Sequence, residues 1–105
     1  MTIQLKVGTS LKKLQPQMVL AAFIVESIYA RNGAKCTITS GNDSVHSKAS
    51  LHYRGNALDF RTKDYVSSKT MLLGEIKRAL GAEFDVILES LNEDQEHLHV
   101  EWDPK

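Results

Sequence analysis

The stretch SLHYRGNALDF, Ser50 to Phe60, sets His52 and Asp59 seven residues apart with Gly55 between them. A second stretch, EHLHVEW, Glu96 to Trp102, adds His97 and His99. Imidazoles and carboxylates are the side chains that hold a divalent metal or move protons near neutral pH. In a strand, side chains alternate between faces. EHLHVEW read as a strand puts His97, His99 and Glu101 on one face and Leu98, Val100 and Trp102 on the other. The same rule turns Leu58 and Phe60 inward and Asp59 away from them. His52 sits in the loop just before Asp59, and Gly55 lets that loop fold back sharply.

A catalytic zinc site takes three ligands of this kind, two histidines and a carboxylate, and keeps its fourth position for water. The ion lowers the pKa of that water toward ~7 and polarises a substrate carbonyl. A nearby carboxylate then takes the water's proton and passes it to the leaving amine. Glu96 and Glu89 are the candidates for that task. On residue types alone a second reading stays open, because four histidines are unexceptional in 105 residues. His46, His52 and His97 serve equally well as ordinary polar surface or loop residues. The chain has no His-Glu-x-x-His helix, Cys-x-x-Cys pair, Gly-x-Ser-x-Gly or Gly-rich phosphate loop.

The elements that must position these residues are legible. Residues 16–32 read as a helix, with Pro16 at its first position and Gly33 at its stop. Leu20, Ile24 and Ile28, with Val19 and Phe23 beside them, form its expected apolar stripe. CTITSG reads as a strand ending at a glycine, residues 42–56 as a polar loop, and ALDFRT as a short strand. Ser67 or Ser68 caps a second helix, SKTMLLGEIKRAL, that stops near Gly81. Its apolar residues are Leu73 and Leu80, flanked by Leu72 and Ile76. FDVILE and HLHVEW close the chain as strands joined by a polar hairpin loop, Ser90 to Glu96. Helix, strand, strand, helix, strand, strand predicts a small α+β domain, an antiparallel sheet with two helices, across residues 1–105.

Composition narrows the partners. Thirteen basic residues balance thirteen acidic ones. That gives no overall pull toward nucleic acid or an anionic membrane, and neither is expected as a partner. The most apolar segment, Met18 to Ile28, is too short to span a bilayer. No secretory leader is read in MTIQLKVGTSLKKLQ, so the chain is expected to be made in the cytoplasm and to reach any outside target by another route. Cys36, the single cysteine, reads as a small buried hydrophobe. A monomer is expected.

SLHYRGNALD matches the pattern Ser-x-His-x-x-Gly-x-Ala-x-Asp, and EHLH matches the Glu-x-x-His that accompanies it. Both resemble the signatures of the zinc D-alanyl-D-alanine carboxypeptidases and their relatives. These relatives include the L-alanyl-D-glutamate endopeptidases and the amino-terminal signalling domain of Hedgehog. TSGNDSVHSKASLHYRGNALD is similar to the Hedgehog segment over its Thr-x-Gly, His-Ser and Ser-Leu-His-Tyr positions. The resemblance covers Thr37 to Asp103.

The resemblance implies zinc ligands at His52, Asp59 and His99 and a general base at Glu96. It places His97 and His46 near the metal, against the oxyanion or the substrate. Ser50 and Arg54 are assigned with His46 to the substrate. In the Hedgehog arrangement the glutamate lies further upstream, which makes Glu89 the second candidate base; on a regular strand Glu96 points away from His99. Many of the carboxypeptidases carry an arginine shortly after Ser-Gly. Asn42 and Asp43 stand there instead, leaving Arg54, Arg61 and Arg31 as candidates for anion binding.

The function this implies is a zinc metallopeptidase cutting an amide bond in bacterial peptidoglycan peptides, of phage or prophage type. The alternative is a non-catalytic, zinc-containing module of the same fold that holds a peptide or partner without turnover. A degenerate relative that keeps only the fold is the third reading.

Overall fold

The computed structural model describes residues 2–41, 55–63 and 65–104. Seven elements follow one another: β1 (Ile3–Leu5), α1 (Pro16–Arg31), β2 (Cys36–Ser40), β3 (Ala57–Arg61), α2 (Lys69–Leu80), β4 (Phe84–Glu89) and β5 (His97–Trp102). The strands form one sheet in the order β1-β2-β3-β5-β4. All pairs are antiparallel except β1 with β2, which run parallel. The edge strand β1 is the one element that the sequence pattern did not announce. Three residues, IQL, are too few to display an alternation.

Both helices begin where their caps put them. Pro16 opens α1, where its missing N–H costs nothing, and the Ser68 side chain accepts from the Met71 N–H at the start of α2. The helices lie on one side of the sheet. Between helices and sheet sit Leu58, Phe60, Leu98, Val100 and Val86 from the strands, Met18, Ala21, Val25, Ile28 and Tyr29 from α1, and Leu72 and Ile76 from α2.

That inventory corrects the expected face of α1. Leu20 is 64% exposed, and Val19 and Phe23 also face solvent, while Met18, Ala21, Ala22 and Val25 are buried. MVLAAFIV is apolar all round, so periodicity does not choose a face. The small side chains of Ala21 and Ala22 let the helix backbone approach the sheet, and packing decides.

The segment leading into α1 packs Leu11 and Leu14 against the core and lies against the two glycines that bound residues 42–54. Gln15 N–H donates to the Gly55 carbonyl at 3.0 Å. A Cβ on Gly55 would lie 2.0 Å from the Lys13 carbonyl oxygen, and one on Gly41 would lie 2.2 Å from that of Ser10. Gly55 also has φ +74°. It is thus required twice, for the turn and for the close approach.

Candidate metal and proton-transfer site

The register of the three central strands builds the site in rows on the face opposite the helices. Asp59 pairs with His99, and His99 with Ile87; Arg61 pairs with His97, and His97 with Glu89; Ala57 pairs with Glu101, and Glu101 with Asp85. Residues paired across a sheet share a face. Asp59, His97, His99, Glu89 and Glu101 therefore converge on one surface. Leu58, Leu98 and Val100 hold it from below as part of the core.

His99 is the centre of the arrangement. Its Nδ1 lies 2.8 Å from Asp59 Oδ1, and its Nε2 lies 2.7 Å from Glu101 Oε1. Burial opposes a charged imidazole here. The hydrogen bonds to Asp59 and Glu101 outweigh it and raise the pKa to about 9. Both ring nitrogens then donate, one to each carboxylate. An imidazole and a carboxylate thus meet across the single proton on Nδ1.

Asp59 and His99 fit a zinc ion on this chemistry. Two ligand atoms on a tetrahedral ion at ~2.0–2.1 Å are about 3.3 Å apart, so the Asp59–His99 pair needs to open by only about half an ångström to share one. Were His99 to bind the ion through Nδ1, Glu101 on the far nitrogen would be the outer carboxylate that orients it. It was not assigned to the site from sequence, although its spacing two residues beyond His99 on a strand already placed it on the right face. His52, the third ligand implied by the resemblance, lies outside the described residues, as do His46, Ser50 and Arg54.

His97 is turned so that Nδ1 donates to the Gln95 carbonyl at 2.8 Å. Its Nε2 is left 3.4 Å from Glu89 Oε1 and 3.8 Å from Asp59 Oδ1. Glu89 Oε1 is also 3.9 Å from His99 Nδ1. The Glu89 carboxylate is 45% exposed, open to solvent and beside both histidines. That is the position a proton shuttle needs.

The surroundings of Glu96, the first candidate base, are different. Glu96 shares its face with Leu98 and points toward α2. Its Oε1 accepts from Thr62 Oγ1 and from Lys69 Nζ, each at 2.6 Å, and its Oε2 accepts from the Asn92 N–H at 2.8 Å. Burial pushes this carboxyl up, but the hydrogen bonds from Lys69, Thr62 and Asn92 prevail and pull it down to about 2. Such a group is a poor base, and it lies away from His99. It ties the β4–β5 hairpin to the start of α2, which Lys69 opens against the helix dipole. The hairpin itself turns through Ser90 and Asn92, both at positive φ.

Other assignments sort as follows. Arg31 is bound to Glu75 between the two helices, far from the site face. Arg61 lies on that face beside Asp59 and His97, along a groove of about 720 Å³ that Lys6 and Lys63 also line. Ser40, paired with Asp59, has a buried hydroxyl with no partner among the described residues. Cys36 is buried as expected, and burial, with the Glu26 charge adding, pushes its thiol up to about 12. One row from His99, oxygen atoms of Asp85, Glu101 and Asp103 come within 4.8 Å of one another. Of the three, Glu101 is the one that favours the proton on the His99 ring. Among the described residues no helix is long and apolar enough to cross a membrane.

Comparison with known proteins extends the geometry. No curated protein and no solved structure matches the chain. The model of the Hedgehog amino-terminal signalling domain matches residues 9–101, which takes in β2 to β4, all of β5 but Trp102, both helices and the rows around His99, and the chain belongs to that family.

Proposed function

We propose that the protein is a zinc-dependent peptidase that hydrolyses an amide bond in peptidoglycan peptides. Asp59 and His99 would hold the ion, with His52 as the third ligand suggested by the resemblance. When bound, zinc supplies a Lewis acid and an activated water at neutral pH. The chain's own groups supply the rest. Glu89, beside both histidines, accepts the water's proton and returns it to the leaving amine. His97 Nε2, 3.4 Å from Glu89 Oε1, would hydrogen-bond to the oxygen that gains charge. Glu101 keeps His99 in one orientation.

The observation that carries this reading is the 2.8 Å meeting of Asp59 and His99 on an open sheet face, with Glu89 alongside. Membership of a signalling-domain family favours a second reading, a zinc-containing module that binds a peptide or partner without turnover.

Zinc-loaded protein incubated with purified peptidoglycan, beside a chelated control, separates the two. New amines or free D-alanine, lost on chelation and in Glu89→Gln, support the hydrolase. Tight peptide binding with no released amine supports the module.

A further inference from the structure

At the opposite edge of the molecule, Glu26 presents an anomaly that the site on the sheet does not explain. It lies in the second half of α1 and is only 6% exposed. It has no hydrogen-bond or ion-pair partner among the described residues, whereas buried carboxylates are normally paired. Glu96 shows the ordinary solution in the same molecule, with a lysine, a hydroxyl and a backbone N–H on its two oxygens.

Glu26 is also not sealed in. It lines a pocket of about 820 Å³ between β1 and the end of α1, with Thr2 and Gln4 on one wall and Ala30 and Ala34 on the other. The C-terminal end of α1 forms part of that wall, and helix C-termini carry partial negative charge. Two cationic residues line the pocket as well. Arg31 is committed to Glu75, and Lys35 is exposed at the rim without an ion-pair partner among the described residues. The pocket thus sets one unpaired carboxylate among alanine methyls and the neutral polar groups of Thr2, Gln4 and Ser27, with Arg31 and Lys35 as its cationic lining.

We propose that this pocket binds an ammonium group carried on an extended alkyl stem, with Glu26 as its counter-ion. The stem would run along Ala30 and Ala34, and the ammonium would be held between the carboxylate and the negative end of α1. A lysine side chain of a polypeptide and a free alkyl diamine share this chemistry. The site is remote from Asp59 and His99 and does not depend on the proposed hydrolysis.

The test is a titration of the whole protein followed by backbone amide shifts. The probes are N-acetyl-lysine amide, 1,5-diaminopentane and N-acetyl-norleucine amide, the last keeping the stem without the charge. Saturable shifts at Thr2, Gln4, Ala30 and Ala34 with a charged probe are expected, weakened at least tenfold with norleucine or in Glu26→Gln. The lysine and diamine arms distinguish the two sources. No saturable shift with either charged probe, or equal shifts in Glu26→Gln, overturns the proposal. A second measurement needs no ligand. Glu26 has no hydrogen-bond or ion-pair partner to lose among the described residues, so Glu26→Gln is expected to unfold at the same temperature as the parent. A lower unfolding temperature would mean that Glu26 is a structural partner and not a binding group.

Discussion

Glu89 and Glu96 bracket one hairpin, seven residues apart, and share a chemistry. Their surroundings make them different instruments. Glu96 is enclosed by Thr62, Lys69 and the Asn92 N–H, so its charge is fixed and its protons are far out of reach at neutral pH. Glu89 stands at the open edge, within 4 Å of two imidazoles and in contact with water. A carboxylate held by several donors becomes a structural anion. One that keeps solvent on one side and titratable neighbours on the other can shuttle protons.

The contrast can be broken from either side. The largest effect is expected at the open edge. Glu89→Gln should lower kcat on a peptidoglycan peptide by about 10²–10⁴-fold, with bound zinc and the unfolding temperature unchanged. A rate within a few-fold of the parent would remove Glu89 from the chemistry.

On the enclosed side, Lys69→Met should cost about 3–5 kcal/mol of stability by stranding the Glu96 charge. The rate per folded molecule should stay the same. Urea unfolding measures the first and activity at low temperature the second; a drop in intrinsic rate would contradict the assignment of Glu96 to structure.

Glu101→Gln sharpens the comparison from a third position. The loss of an outer-shell carboxylate is expected to weaken zinc about 10–100-fold, read by competition with a chelator. Unchanged affinity would mean that the Glu101–His99 hydrogen bond serves the metal-free protein only.

The smallest effect is pH-dependent. The folded Glu96 carboxyl is pulled from its ordinary 4.5 to about 2. Its contribution to stability is complete above pH 4.5 and disappears as pH falls toward 2. Denaturation midpoints measured across that window should fall more steeply for the parent than for Glu96→Gln. Parallel curves would show that the Lys69–Glu96 pair contributes nothing net.

Much of this was legible before the fold was known. CTITS, ALDFR, FDVILE and HLHVEW all form strands where alternation and turn residues mark them. The shared face of His97, His99 and Glu101 follows from a period of two. The buried face of α1 did not follow, because MVLAAFIV is apolar on every side and the sheet selected Ala21, Ala22 and Val25 over Leu20 and Phe23. Glu26 was equally silent. A lone glutamate in an apolar helix looks the same whether it meets solvent, a lysine or an empty pocket.

The sequence by itself determined the two helices, the four longer strands and which side chains within each strand look the same way, since these depend on local periods of 3.6 and 2. It also determined that Glu96, just before β5, points away from the face that carries His99. The tertiary structure alone decided that β3 flanks β5 on the side opposite β4, and the register of β3 and β4 against it. That choice puts Asp59 against one edge of the His99 row and Glu89 beside His97, while α2 brings Lys69 to Glu96. Strand order, register and helix docking are set by contacts between separate segments, from the hairpin partners β4 and β5 to Asp59 and His99, 40 residues apart. No single segment carries the free energy of those contacts.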